Sequence, residues 1–157
     1  MIHSLKALAL AAVTTAGALV ATAGAASATT FTAYFQVANQ DASHEMIRTS
    51  SLPSTITGLI NPPAAISPAG TDPASGHAVF SGSVSPGGSL SATVTYDAAA
   101  NLGTAKCNFT MKVTENSTGT DYLLHYSVDN GICSVPADVH SSNGQFTSQT
   151  SQLIWTY

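Results

Sequence analysis

Positive charge is nearly missing from this sequence. Lys6, Arg48, Lys106 and Lys112 are the four basic residues among 157, against eight acids. Beyond residue 28, three basic side chains face eight acidic ones, leaving five net negative charges with His neutral, and such a surface repels a phosphate backbone. A nucleic-acid partner is excluded on that ground. Cysteine is limited to Cys107 and Cys133, without C-x-x-C or a Cys/His cluster at zinc spacing, so no metal centre is implied. Apolar residues at i, i+3, i+4, i+7 are absent as a pattern, which leaves almost no helix. No apolar run after residue 28 approaches the ~20 residues of a helical span, so the mature chain carries no integral membrane helix of that kind.

The amino terminus is what a secretory signal needs. One positive charge in Met1–Lys6 precedes the apolar stretch Ala7–Val20, and Ala26-Ser27-Ala28 supplies a small-x-small cleavage pattern. A transmembrane anchor is the competing reading, but the stretch is Ala-rich, broken by Thr14, Thr15 and Gly17, and lacks a basic stop-transfer flank. Residues 1–28 therefore read as a signal peptide and 29–157 as one secreted, extracellular domain. Export places Cys107 and Cys133 in an oxidising compartment, where a single intramolecular bridge is the simplest outcome.

What the chain does have is period-two alternation. Leu90, Ala92, Val94 and Tyr96 alternate with Ser89, Ser91, Thr93 and Thr95. Cys107, Phe109, Met111 and Val113 alternate with Lys106, Asn108, Thr110, Lys112 and Thr114, and Tyr122, Leu124, Tyr126 and Val128 with Leu123, His125 and Ser127. The last two runs flank Glu115-Asn116-Ser117-Thr118-Gly119-Thr120, a hairpin loop. Further strands are expected at Phe31–Asn39, Thr55–Ile60, His77–Val84, Gln145–Ser148 and Gln152–Tyr157, with turns at Ser85-Pro86-Gly87-Gly88 and Asp129-Asn130-Gly131. The expectation is an all-β fold: a single antiparallel β-sandwich of about eight short strands with one disulfide. The Pro-rich stretch 61–73 is expected as an ordered surface connection.

No residue set specifies catalysis. There is no G-x-S-x-G, and His44, His77, His125 and His140 are scattered. His44-Glu45 begins like a zinc-binding H-E-x-x-H, but Arg48 occupies the fifth position and repels a cation. A hydrolase would need a His and a carboxylate to converge, with His125 and Asp121 or His77 and Asp72 as the pairs to watch. Asp72, Asp97, Asp129 and Asp138 lack calcium-loop spacing, so neither a cofactor nor a metal is implied. Asn108-Phe109-Thr110 and Asn116-Ser117-Thr118 are glycosylation sequons.

Aromatics are the more informative group. Phe109 and Tyr96 read as core. Trp155 and Tyr157 share one face of the last strand, where amphipathic rings suit either a core or an interface with one wet end. If exposed, Trp155 with Tyr122, Tyr126 or Tyr157 would form a ligand-binding surface for a sugar face or a lipid headgroup.

Several short motifs add a resemblance. Ile47-Arg48, a Ser-rich stretch, Gly58, Pro62-Pro63-x-x-Ile66-x-Pro68, Phe80-Ser81-Gly82-Ser83, Gly87-Gly88 and Val94-Thr95-Tyr96 follow in order. This order resembles the small secreted β-sandwich cytolysins of the aegerolysin and actinoporin-like type. Asn116-x-x-Gly119-x-Asp121-Tyr122 is similar to a loop of that family, with Ser117 where the family has proline. The resemblance implies a non-enzymatic protein that recognises membrane lipid, sometimes with a pore-forming protein partner. The expected function is thus that of a secreted binding protein for membrane lipid. A carbohydrate-binding or surface-interaction module is the alternative, and a small secreted hydrolase the third reading.

Overall fold

The protein is described here by a computed structural model covering residues 27–57, 64–69, 75–99, 105–146 and 152–155. Residues 1–26, most of the expected signal, lie outside these, as do Tyr157, Gly58, Asp72 and the 61–63 and 70–73 parts of the Pro-rich stretch.

Among the described residues the fold is all-β, and no helix is long and apolar enough to cross a membrane. Twelve strands are formed: β1 (Thr29–Asn39), β2 (Met46–Arg48), β3 (Ile56–Thr57), β4 (Ala65–Ile66), β5 (Ser75–Val84), β6 (Ser89–Ala98), β7 (Cys107–Glu115), β8 (Tyr122–Val128), β9 (Cys133–Ser134), β10 (Val139–Ser141), β11 (Gln145–Phe146) and β12 (Gln152–Trp155). Each of the eight expected strands has a counterpart among the described residues, while positions 58–60, 147–148 and 156–157 of three of them lie outside these. The four additional ones, β2, β4, β9 and β10, span two or three residues each, too short for alternation to show in sequence. Ile66, on β4, is fully buried, so this part of the Pro-rich connection contributes to the core instead of merely crossing the surface.

The strands form two sheets. The first runs β3-β5-β1-β12-β9, with β11 also on β1; the second runs β10-β8-β7-β6-β2-β4. Pairing is antiparallel except that β11 and β12 lie parallel to β1, at Thr32↔Gln145 and Val37↔Leu153 for example. The expectation of a wholly antiparallel sandwich is corrected there. Two-residue hairpins can only join antiparallel neighbours, whereas these C-terminal strands come back to β1 after most of the chain has intervened.

Alternation supplies the core. Phe31, Ala33, Phe35 and Val37 of β1, Ala78 and Phe80 of β5, and Leu153 and Trp155 of β12 bury one face of the first sheet. Val94 and Tyr96 of β6, Phe109 and Met111 of β7, and Tyr122, Leu124 and Tyr126 of β8 do the same for the second, in one continuous cluster. Phe31 meets Phe80 edge-to-face at 4.9 Å between centroids, an arrangement favoured by the ring quadrupoles.

The disulfide joins Cys107 of β7 to Cys133 of β9, and these strands belong to different sheets. It therefore ties sheet to sheet, not merely the open end of the β7–β8 hairpin. By the loop-closure argument a bridge over a separation of 26 residues contributes about 3.5 kcal/mol. The β7–β8 loop closes through Asn116, whose Oδ1 accepts the backbone N–H of Thr120 at 2.9 Å, while Gly119 takes φ 72°, the left-handed region its missing Cβ permits.

Candidate binding face

Each sequence-selected site residue can now be placed. Trp155 is 0% exposed, and its indole N–H donates to the Ala105 carbonyl at 2.9 Å. Tyr122 and Tyr126 point into the same core from β8. The structure thus brings three of the four aromatics into the interior, where they offer no ring face to a ligand. Tyr157 lies outside the described residues. The inward placement follows from strand parity: Trp155 shares its face with Leu153, and Tyr122 and Tyr126 share theirs with Leu124.

The titratable groups outside the core form local pairs. His125 Nδ1 lies 2.8 Å from Asp138 Oδ1, and His140 Nδ1 lies 3.5 Å from Asp121 Oδ1, all four side chains being exposed. His125 and Asp121, the pair that a hydrolase would bring together, each have another partner on an open sheet surface. His44 donates its backbone N–H to Asp41 Oδ1 and holds its ring Nδ1 3.0 Å from the same oxygen, so the H-E segment serves a turn. Burial raises the Asp41 carboxyl, but hydrogen bonds from the Ser43 and His44 N–H groups and the His44 ring outweigh it and hold the group below the usual carboxylate range. Asn39 Nδ2 donates to the His44 and Ser67 carbonyls at 2.8 and 3.1 Å, fastening this turn to the chain after β4. Among the described residues no three His, Cys, Asp or Glu side chains could hold a metal ion.

Two further polar groups are structural. Asn108 of the first sequon is fully engaged: its Oδ1 accepts the Thr95 hydroxyl at 2.7 Å, and its Nδ2 donates to Asp129 Oδ2. Asn116 of the second sequon is exposed at the loop. Arg48 pairs across from Tyr96, and its Nε and Nη1 are buried without a hydrogen-bond partner. Burial pushes the Tyr96 phenol far above its ordinary range, with the Arg48 charge opposing the shift.

One aromatic does face outward. Tyr34 is 47% exposed and is the only large exposed hydrophobic side chain among the described residues. It stands on β1, which is flanked by β5 and β12 in the interior of the first sheet. Parity gives it the outer face: Ala33 and Phe35 beside it are buried, while Thr32, Tyr34 and Gln36 point away. Directly across on β5 is Val79, with His77 opposite Gln36 and Ser81 opposite Thr32. A directly opposite neighbour stands about 5 Å away and a diagonal one about 7–8 Å, so Val79 borders the ring itself and the hydroxyl and imidazole groups of Ser81 and His77 stand at the diagonals. No Lys, Arg, Asp or Glu occurs on this face among the described residues of β1 and β5. Sequence reasoning passed over Tyr34 by looking for aromatics at the end of the chain; the Phe31-Ala33-Phe35-Val37 alternation already placed position 34 on the polar side.

Set against protein-family models, curated proteins and solved structures, the chain finds no match.

Proposed function

We propose that this protein is a secreted, non-enzymatic binding module whose ligand is a neutral glycan, stacked on Tyr34 at the outer face of the first sheet. The exposed Tyr34 ring carries the reading. A sugar ring presents an apolar C–H face and equatorial hydroxyls, and a tyrosine face bordered by hydrogen-bonding side chains complements both. The absence of ionised groups on the described part of this face, together with the net negative charge of the chain, favours an uncharged glycan over an acidic one. Membrane lipid, the ligand implied by the cytolysin resemblance, draws no support from Trp155, Tyr122 or Tyr126, which lie in the core.

The test is binding of the purified secreted protein to a panel of soluble neutral oligosaccharides by calorimetry, with vesicle sedimentation alongside. Tyr34→Ala is expected to weaken glycan binding about tenfold or more, a loss of about 1.4 kcal/mol, with an unchanged melting temperature. Absence of glycan binding, or an equal affinity in Tyr34→Ala, removes the reading; sedimentation with vesicles in its place turns the function to lipid.

A further inference from the structure

Arg48 is the single arginine of the chain, and its side chain leaves β2 on the inner side of the second sheet. Parity puts it on the same face as Met46, which is fully buried, and register sets it directly opposite Tyr96 of β6, also fully buried. The backbone of Arg48 is satisfied, its N–H donating to the Ala64 carbonyl at 2.7 Å. The guanidinium is not. Nε and Nη1 are buried with no hydrogen-bond partner, while the residue as a whole is half-buried and so reaches solvent in part. The ion pairs among the described residues join His44 to Asp41, His125 to Asp138 and His140 to Asp121, and none reaches Arg48.

The acids nearest in register point elsewhere. Asp97, next to Tyr96, stands on the opposite face of β6, where its Oδ1 accepts the Ala98 N–H at 2.9 Å, and Glu45, ahead of Met46, is exposed. A guanidinium holds its charge at every ordinary pH, so Arg48 cannot escape burial by losing a proton. Two desolvated donors on a full positive charge are destabilising until an anion meets them.

The two flanks of the guanidinium differ in bulk. Tyr96 forms one wall, its ring set edge-on to Phe109 at 6.5 Å between centroids. On the other flank Ala64, exposed where the edge strand β4 begins, carries only a methyl group. The less obstructed approach is therefore from the β4 edge. We propose that Arg48 anchors an oxyanion site at this edge, taking the carboxylate or phosphate group of a small molecule through its unpaired N–H donors. The site lies on the inner side of the second sheet, apart from the Tyr34 face of the first, and does not depend on the glycan reading. With eight acids against four basic residues in the chain, no general positive field assists it, and the dissociation constant expected for one such contact is about millimolar.

The test titrates the purified protein, dialysed into chloride buffer at pH 7, with sodium acetate and separately with sodium phosphate at fixed ionic strength. The Arg48 Nε–H signal is followed by NMR, and with one arginine in the chain that signal is unambiguous. It is expected to move and saturate with at least one ion, half-way at about millimolar concentration. An earlier midpoint with acetate identifies a carboxylate site, and an earlier midpoint with phosphate a phosphate site. Thermal unfolding gives the second readout. The same ion should raise the melting temperature of the wild type more than that of Arg48→Met, a comparison that removes the general stabilisation by excluded salts. In chloride alone Arg48→Met should melt no lower than the wild type, because an apolar chain replaces an unpaired buried charge. An Nε–H signal unmoved by either ion up to about 50 mM, far above a millimolar constant, overturns the site, as does an equal melting response in Arg48→Met. Should Arg48→Met not fold, the wild-type signal still decides.

Discussion

Trp155 lies directly across from Cys133, and its indole N–H donates to Ala105, two residues ahead of Cys107, the partner of Cys133 in the disulfide. Indole, hydrogen bond and disulfide thus close one circuit between the two sheets. The single tryptophan belongs to the same fastening as the two cysteines.

Trp155→Phe retains most of the ring volume but leaves the buried Ala105 carbonyl without its donor, at a cost of about 1–3 kcal/mol. Trp155→Ala adds a cavity and is expected to cost about 3–5 kcal/mol. Urea unfolding would measure both. Glycan affinity of the folded Trp155→Phe protein should equal that of the wild type; a selective loss of binding at full stability would return Trp155 to the ligand site.

Removing the bridge by Cys107→Ser with Cys133→Ser is expected to cost about 2–5 kcal/mol, because the unfolded chain regains the entropy of a long loop and the sheets lose a covalent tie. The comparison is between denaturant midpoints of the double variant and the oxidised protein. A difference below about 1 kcal/mol would show that the hydrophobic core alone sets the spacing of the sheets.

Gly144 adopts φ 73°, and a Cβ there would come within 3.0 Å of the Thr30 carbonyl oxygen and 3.4 Å of Phe31 Cα, both backbone atoms. Gly144→Ala combines left-handed strain of about 1–2 kcal/mol with a clash that no side chain can relieve. Its melting temperature should fall clearly, whereas Gly131→Ala, with open space around it, serves as the neutral control. Equal melting temperatures for the two variants would contradict this account.

Acid should weaken the fold through two carboxylates. The Asn108 backbone N–H leads in holding Asp129 below its ordinary range, against some burial and with help from the Asn108 amide; the Asp41 turn acts likewise. Each folded pKa lies below the unfolded value of about 3.9, so the stabilisation is present above that pH and lost as pH falls through the lower folded value. Urea midpoints of the wild type should therefore fall steeply below about pH 4. In Asp41→Asn with Asp129→Asn the midpoint should start lower at neutral pH and change less on acidification. Parallel profiles for the two proteins would sink the idea.

The sequence by itself determined the fold class, because strand parity is local. Alternation over Phe31–Val37, Leu90–Tyr96 and Cys107–Val113 states which side chains are buried without reference to any distant residue, and the cysteine pair and the Gly119 turn are equally local. Only the tertiary structure decided which sheet each strand joined, that the disulfide crosses between sheets, and that β11 and β12 run parallel to β1. These depend on contacts between residues far apart in the chain, which no periodicity encodes. The same division holds for function. An aromatic residue type announces a surface or a core equally well, and it is the packing of the two sheets against each other that removed Trp155, Tyr122 and Tyr126 from solvent and left Tyr34 as the exposed ring.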